Sequence, residues 1–357
     1  MGAPLYRPGR GTGQATPLPD GGERRAPPQS ALDAIAMPVI CGAVLEGGYP
    51  VTAALAALAA ALDRGEKAAL AGALARLERD PDGAATLALL DAAWQAPQAE
   101  VIGLTGPPGV GKSTLTGALI AEYRRRGRRV AVIAVDPSSR RSGGALLGDR
   151  VRLATDPEDT GIFVRSMAAR DRLGGLAGLT IAAMVLMRAL YDIVLIETVG
   201  VGQSETEISA AADTVVFCVQ PGSGDSLQFM KAGIVEIPHI VVVTKADMGA
   251  VASRALTDVA GALGMAEDES GWRVPVLALS ALNRDGVTAL VDTLAIRASF
   301  LGDKGRLAAQ RHAQAGEWLI GAVRERFGRE GLKRAGHLRL PPGEPPFGRL
   351  HDIMRAL

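Results

Sequence analysis

The hydrophobic pattern of the chain changes near residue 99. Between residues 31 and 98, leucines recur at helical spacing, as at Leu55 and Leu58, with a break at Pro81-Asp82-Gly83. This spacing predicts an N-terminal helical segment whose leucines form packing faces. Residues 99–301 instead alternate short apolar runs with helical segments. That alternation predicts an α/β domain with a doubly wound, mostly parallel sheet, whose ligand binds at the carboxyl ends of the strands.

Short continuous apolar runs mark the predicted strands, because a strand covered on both faces has no polar side. The runs are Val101–Thr105, Val130–Val135, Ile193–Ile196, Thr214–Val219, Ile240–Val243 and Val276–Leu279. The two ends of the chain differ from this domain. Residues 1–30 contain six prolines and six glycines, so we expect a disordered tail there. Residues 302–357 are charged and helical in pattern, and we expect a C-terminal helical arm.

Composition excludes several classes of protein. The formal net charge of the 357 residues is only +1, so we expect no nucleic-acid partner. The two cysteines, Cys41 and Cys218, give no disulfide framework, which favours a reducing cytoplasm. The four histidines have no metal-ligand spacing. No secretory signal is recognisable, and the most apolar windows are shorter than the roughly 18 residues that a membrane helix needs. We therefore expect a cytoplasmic protein with no membrane partner.

The strongest chemical signal follows the first predicted strand. Residues 106–113 read Gly-Pro-Pro-Gly-Val-Gly-Lys-Ser, which fits the phosphate-binding pattern G-x-x-x-x-G-K-[ST], and a helical segment follows. Backbone N–H groups in such a loop surround phosphate oxygens at a helix N-terminus, and glycine permits their close approach. Lys112 is expected to reach the β- and γ-phosphates, and Ser113 to bind Mg²⁺. The predicted nucleotide-binding residues of this loop are Gly106, Pro107, Pro108, Gly109, Val110, Gly111, Lys112, Ser113 and Thr114.

Two later segments, each at the end of a predicted strand, are predicted to bind the base of the nucleotide. Thr244-Lys245-Ala246-Asp247 fits the pattern [NT]-K-x-D. The carboxylate of Asp247 can accept hydrogen bonds from the imino and amino groups of guanine, a pair of donors that adenine lacks, and the stem of Lys245 would lie along the base. Farther along the chain, Ser280, Ala281 and Leu282 form a segment where a backbone N–H can meet the guanine carbonyl. In combination with the phosphate loop, these segments predict a GTP-binding protein.

Residues between these segments are candidates for metal binding and hydrolysis. Asp136 and Glu197 each follow a predicted strand, where an acid can hold Mg²⁺ through its water shell. Asp149 and Gln203 are further candidates, and a helix cap or a solvated loop is the alternative for all four residues. Gly200 can offer its N–H to the γ-phosphate. The predicted metal ligands are Ser113, Asp136, Asp149 and Glu197, and the predicted catalytic residues are Lys112, Glu197 and Gln203. Together they predict Mg²⁺-dependent hydrolysis of GTP to GDP and phosphate.

The segments around these residues resemble one known family. They are Asp136–Ser139, Gly143–Arg150, Leu173–Ala177, Glu197–Glu205 and Gly222–Asp225, and the fourth, Glu-Thr-Val-Gly-Val-Gly-Gln-Ser-Glu, is the most specific. Over roughly residues 55–330 the chain resembles the MeaB/ArgK GTPases. These are the methylmalonyl-CoA mutase-associated proteins, formerly labelled transport kinases. The resemblance implies a GTPase chaperone that gates adenosylcobalamin loading into an acyl-CoA mutase, most simply methylmalonyl-CoA mutase, and protects that enzyme.

The resemblance also implies switch regions and a subunit interface. Residues 136–149 and 197–205 would form two switches, and a third, at residues 222–231, would communicate with the mutase. Its charged candidates are Asp225 and Lys231, for which a helix cap and a solvated helix face are the alternatives. The C-terminal arm would form a homodimer, with Trp318 either at that interface or packed on the GTPase domain of its own chain. Residues 165–172 depart from the family pattern, which leaves the identity of the mutase open.

Three other functions share parts of this pattern. A P-loop kinase would need a pocket with a base for the acceptor hydroxyl, and no segment resembles one. A GTP-dependent metal-insertion protein would need clusters of cysteine and histidine. A nucleotide-binding scaffold without hydrolysis is disfavoured by the acids at both metal-binding positions.

Overall fold

The structure is a computed structural model, and it describes residues 51–137, 155–169, 178–198, 208–222, 238–263 and 271–357. The expected tail, residues 1–30, lies outside this set. The first three helices of the described residues are α1 (Val51–Asp63), α2 (Lys67–Arg79) and α3 (Ala84–Gln95). The break predicted at residues 81–83 separates α2 from α3. Leu70, Leu74 and Leu77 of α2 are buried, so the helical spacing of leucines marks a packing face.

Seven strands among the described residues form one parallel sheet, which confirms the predicted fold class. They are β1 (Glu100–Thr105), β2 (Val130–Pro137), β3 (Ile162–Ala169), β4 (Ile193–Glu197), β5 (Thr214–Val219), β6 (Ile240–Val243) and β7 (Val276–Ala278). Their order is β3-β2-β4-β1-β5-β6-β7, and every neighbouring pair is parallel. The edge strand β3 is the one that the apolar runs of the sequence do not predict.

Helices cover both faces of this sheet. They are α4 (Lys112–Arg125), α5 (Gly178–Arg188), α6 (Ala250–Leu263) and α7 (Val287–Gly302). Successive residues of β1 show why both faces are apolar. Val101 packs in a cluster with residues of α3 and α5, whereas Ile102 and Leu104 pack in a cluster with residues of α4 and α7. Because side chains alternate along a strand, β1 contributes to two cores.

Two helices follow the sheet: α8 (Arg306–Ala335), which bends at Gly328 with φ +66°, and α9 (Pro346–Ala356). Their apolar residues form a separate cluster that includes Leu319. Trp318 of α8 is half-buried, and its ring centre lies 4.8 Å from that of Phe347. Trp318 therefore packs on its own chain. Across the described residues, the α-helices lack the combined length and hydrophobicity that crossing a membrane would require.

Buried charged groups join α8 to the amino end of the sheet. Asp213, just before β5, is 2% exposed, and its carboxylate accepts hydrogen bonds of 2.8 and 2.6 Å from Arg311 of α8. The same carboxylate accepts the N–H of Val101 at 2.8 Å. One turn later, the amide of Gln314 donates to two backbone carbonyls just before Asp213. These contacts make α8 an integral part of the folded domain.

Two more ionisable side chains lie near this ion pair. Burial raises the pKa of Glu100 to about 8; the charge of Asp213 adds to this increase, and that of Arg311 opposes it. Burial likewise lowers the pKa of Arg188 to about 9. The Arg188 guanidinium lies 4.9 Å from the ring centre of Trp94. Burial at the amino end of the sheet thus disfavours the charged forms of both Glu100 and Arg188.

Candidate nucleotide-binding site

The phosphate-binding motif lies in the loop between β1 and α4. Gly106, Gly109 and Gly111 have φ values of +135°, +75° and +103°. At Gly106 an added Cβ would lie 2.4 Å from the carbonyl oxygen of Cys218, so only glycine fits there. The N-cap of α4 is Gly111, which has no side chain to cap the helix. The loop therefore offers the N–H groups of a helix N-terminus, an arrangement that binds phosphate.

Lys112, the first residue of α4, lies across this loop. It is 6% exposed, and its Nζ donates hydrogen bonds to the carbonyl oxygens of Gly106 at 2.8 Å and Pro107 at 3.1 Å. These contacts hold the ammonium group at the loop. A positive charge fixed there can stabilise the negative charge of bound phosphates.

Glu197 ends β4 and lies against the start of α4. It is 6% exposed. The hydroxyl of Ser113 donates to its Oε1 at 2.5 Å, and the hydroxyl of Thr116 donates to its Oε2 at 2.9 Å. The structure thus brings together two of the predicted metal ligands, Ser113 and Glu197. Hydroxyl and carboxylate oxygens suit Mg²⁺, which commonly binds through one or two protein oxygens plus phosphates and water.

The base-binding motif is tied to the phosphate loop by its first two residues. The hydroxyl of Thr244 donates to the carbonyl oxygen of Val110 at 2.8 Å, and Nζ of Lys245 donates to that of Gly109 at 3.1 Å. Nζ also donates to Oε1 of Gln220 at 3.0 Å. Lys245 has φ +54°, a conformation uncommon outside glycine. The segments for base and phosphate therefore form one connected unit.

Asp247 is exposed and lies in a short 3₁₀ turn that follows Lys245. The N–H of Ala246 in this turn donates to the carbonyl oxygen of Leu279 at 3.0 Å. This bond places the turn beside the other predicted base-binding segment, at the ends of the neighbouring strands β6 and β7. The residues of that segment are Ser280, which is buried, Ala281, which is half-buried, and Leu282, which is 79% exposed.

Several predicted residues lie outside the described part of the chain. They are Asp149, Gly200, Gln203, Asp225 and Lys231. Asp136 belongs to the last residues of β2, but its side chain is also outside the description. The roles of these residues stay predictions.

Thr116 and Gln220 contact predicted site residues, yet no sequence motif identifies them. Thr116 follows Ser113 by three residues on α4, so the helix places both on one face. That spacing is the signal that could have indicated Thr116. Gln220 directly follows β5, and its position at a strand end is the corresponding signal.

Comparison with known proteins agrees with this geometry. A family model described as "Methylmalonyl Co-A mutase-associated GTPase MeaB" matches residues 70–334. The chain belongs to this family. The resemblance of its motifs to MeaB GTPases is thereby confirmed, and family membership implies that the chain is a P-loop GTPase that binds guanine nucleotides.

Individual relatives of this MeaB-family chain cover most of its length. A protein of Mycobacterium bovis named as a probable GTPase is 38% identical over 275 residues, which are 75% of this chain and 82% of the relative. The mouse protein named "Methylmalonic aciduria type A homolog, mitochondrial" is 39% identical over 228 residues, 63% of this chain and 55% of that protein. A solved structure described as an LAO/AO transport system kinase has a TM-score of 0.60 and 28% identity, covering 85% of this chain and 98% of that one.

Proposed function

We propose that this MeaB-family protein binds GTP with Mg²⁺ and hydrolyses it to GDP and phosphate. The contact between the phosphate loop and the end of β4 carries the proposal, because Oγ of Ser113 and Oε1 of Glu197 lie 2.5 Å apart. Membership of a GTPase family supports the choice of reaction. The position of both segments at the carboxyl end of a doubly wound sheet supports the choice of site.

Each group has a role that follows from its chemistry. The N–H groups of the loop and the ammonium group of Lys112 bind phosphate oxygens and offset their charge. Ser113 and Glu197 would hold Mg²⁺, which when bound supplies positive charge to the phosphates. The carboxylate of Asp247 accepts the imino and amino protons of guanine, and Lys245 holds the base-binding segment against the loop. Asp136, Asp149, Gly200 and Gln203 keep their predicted roles within this proposal.

A change of base preference from guanine to xanthine tests the proposed nucleotide-binding site. Xanthine has a carbonyl where guanine has an amino group, and an asparagine amide can donate to that carbonyl. Asp247→Asn should therefore lower GTP affinity about 100-fold or more and favour XTP. The wild-type chain should hydrolyse GTP and not ATP, and Lys112→Ala, the inactive control, should lose most of the turnover. Equal hydrolysis of ATP and GTP, or an unchanged base preference in the asparagine variant, would contradict the proposal.

We further propose that this GTPase serves an adenosylcobalamin-dependent acyl-CoA mutase, in the first place methylmalonyl-CoA mutase. In this role it is a chaperone that gates cofactor loading and protects the mutase. The family description and the name of the mouse relative support the assignment. Asp225 and Lys231 are the proposed mutase-facing residues, residues 302–357 the proposed homodimer contact, and the cytoplasm the proposed location.

Affinity capture tests the mutase partner. The full chain, loaded with a non-hydrolysable GTP analogue, should retain a cobalamin-dependent mutase from an extract of its own cells. Loading with GDP should change the amount retained, and the Lys112→Ala chain serves as the control. Absence of a mutase with either nucleotide would contradict the chaperone role. Sedimentation of the full chain tests the proposed homodimer.

The kinase alternative predicts transfer of the γ-phosphate to an acceptor other than water. The similarity to a structure described as a transport system kinase makes this a concrete alternative. GTP labelled at the γ-phosphate distinguishes the two reactions, because hydrolysis yields free phosphate as the only labelled product. For the metal-insertion alternative, the described residues contain no group of three or more His, Cys, Asp or Glu side chains that could hold a metal ion.

A further inference from the structure

A threonine outside the phosphate-binding motif contacts the carboxylate at the end of β4. Thr116 lies one helical turn after Lys112, is fully buried, and donates its hydroxyl to Oε2 of Glu197 at 2.9 Å. We propose that Thr116 is a positioning residue that holds Glu197 in the orientation that binds Mg²⁺. This inference rests on the proposed GTPase function and adds a residue to its site.

The two oxygens of the Glu197 carboxylate are held separately. Ser113 donates to Oε1 at 2.5 Å, while Thr116 donates to Oε2. An ionised carboxylate only accepts hydrogen bonds, so in both contacts the proton comes from the hydroxyl. Two hydroxyls on one face of α4 therefore fix the rotation of the carboxylate group.

The two hydroxyls differ in their other tasks. Ser113 belongs to the phosphate-binding motif and is a predicted metal ligand, so its oxygen is shared with the bound ion. Thr116 has no such role, and its relative exposure is 0%. Its contact with Oε2 can persist whether the ion is bound or absent. Thr116 can therefore hold Glu197 without giving up a contact to the ion.

The backbone beneath Glu197 is fixed as well. The N–H of Thr198 donates to the carbonyl oxygen of Leu104 at 3.1 Å, and its hydroxyl lies 3.1 Å from that of Thr105. Both threonines are buried. With the main chain held, the direction of the carboxylate depends on its side-chain contacts. Residues that hold a metal ligand in this way typically change metal affinity about 10- to 100-fold when substituted.

A purely structural role for Thr116 makes a different prediction. Its hydroxyl also lies 3.0 Å from the carbonyl oxygen of Lys112, the back-bond that helical threonines commonly form. A hydroxyl has one proton, so this contact competes with the contact to Glu197. If the back-bond were its whole role, loss of the hydroxyl would alter the helix without a specific effect on Mg²⁺.

Three substitutions separate these roles. Thr116→Val removes the hydroxyl and keeps the shape, whereas Thr116→Ser keeps the hydroxyl. Thr86→Val is the matched control, because Thr86 of α3 is 3% exposed and its hydroxyl has no hydrogen-bond partner within the described residues. For each variant, the affinity for GDP is measured in Mg²⁺ and in EDTA, together with the Mg²⁺ concentration that gives half-maximal GTP hydrolysis.

Thr116→Val should need about 10-fold more Mg²⁺ for half-maximal hydrolysis. Addition of Mg²⁺ should strengthen its GDP binding about 10-fold less than in the wild type, while its GDP affinity in EDTA stays the same. Thr116→Ser should restore most of the Mg²⁺ response, because the hydroxyl is present. Thr86→Val should behave as the wild type.

A wild-type Mg²⁺ response in Thr116→Val would overturn the inference. An equal loss of GDP affinity in Mg²⁺ and in EDTA would also overturn it, since that is the mark of a structural role. If thermal unfolding shows that Thr116→Val does not fold, Thr116→Ala is measured instead, and the same results are expected for it. A wild-type chain that fails to hydrolyse GTP would contradict the proposed function, whereas Mg²⁺-linked GDP binding would still decide the role of Thr116.

Discussion

The two ends of the sheet each bury a carboxylate, but the groups that contact it differ. At the amino end, the guanidinium of Arg311 pairs with Asp213 through two hydrogen bonds. At the carboxyl end, two hydroxyls of α4 donate to Glu197. The guanidinium of Arg311 neutralises Asp213 within the fold, and the two hydroxyls hold the carboxylate of Glu197 in one orientation.

This difference separates stability from function along the sheet. At the amino end, Arg311 balances the charge of Asp213 in the folded chain. The carboxyl end holds an acid in a fixed orientation beside a phosphate-binding loop, where a divalent cation can bind. Substitutions at the amino end should therefore change the free energy of unfolding, and those at the carboxyl end should change catalysis.

The largest effect is expected at the ion pair. Arg311→Met should lower the free energy of unfolding by about 3–5 kcal/mol, because it leaves the carboxylate of Asp213 buried without its cation. Denaturant titration measures this change. Arg324→Met, at an exposed arginine of the same helix, is the matched control and should stay within about 0.5 kcal/mol of the wild type.

The double variant Arg311→Met/Asp213→Asn sharpens this test. It removes both charges, and the asparagine oxygen can still accept the N–H of Val101, so much of the lost stability should return. If Arg311→Met alone were as stable as the wild type, the ion pair between Arg311 and Asp213 would not be what holds α8 to the sheet.

At the opposite end, Glu197→Gln should slow GTP hydrolysis about 100-fold, since it removes a negative charge that would hold Mg²⁺. The free energy of unfolding should change by less than about 1 kcal/mol, because glutamine keeps an acceptor oxygen for a hydroxyl of α4. Turnover and denaturant titration on one preparation measure both quantities. A large loss of stability with normal turnover would reverse the comparison between the two ends.

The smallest effect concerns Glu100, near the ion pair. Its pKa in the folded protein, about 8, is above the ordinary value of 4.5, so the folded state holds the proton more tightly than the unfolded chain does. Stability should therefore fall as pH rises from about 5 to about 8. Glu100→Gln should remove the part of this decrease that the deprotonation of Glu100 causes. The gain of the variant over the wild type at the upper pH should be on the order of 1–2 kcal/mol, allowing for the partial exposure of Glu100. If the difference in stability between Glu100→Gln and the wild type did not vary with pH, the titration of Glu100 would not be the cause.

The central strands could be predicted from sequence because both of their faces are buried, which makes their runs wholly apolar. β3 could not, because Arg165 and Ser166 interrupt its apolar residues. The guanidinium of Arg165 instead forms an ion pair with Glu78 of α2. An edge strand can include such a residue because one side of the sheet ends there.

The same reasoning explains the site. The phosphate loop and the base-binding turn are local motifs, so a short stretch of sequence specifies each of them. Asp213 and Arg311 are 98 residues apart, and nothing local in either segment indicates that they meet. The role of Thr116 depends on the end of β4, 81 residues later, and emerges only when the strand lies beside the helix.

Because the backbone of Cys218 lies against Gly106 of the phosphate loop, the sulfur of this residue can report on movement of the loop. Burial raises the pKa of the Cys218 thiol to about 12, so very little of the reactive thiolate exists at neutral pH. An alkylating reagent can modify this sulfur only when the segment beneath the phosphate loop opens. In a chain whose other cysteine, Cys41, is replaced by serine, the rate of labelling would report how often that opening occurs and how far a bound nucleotide suppresses it.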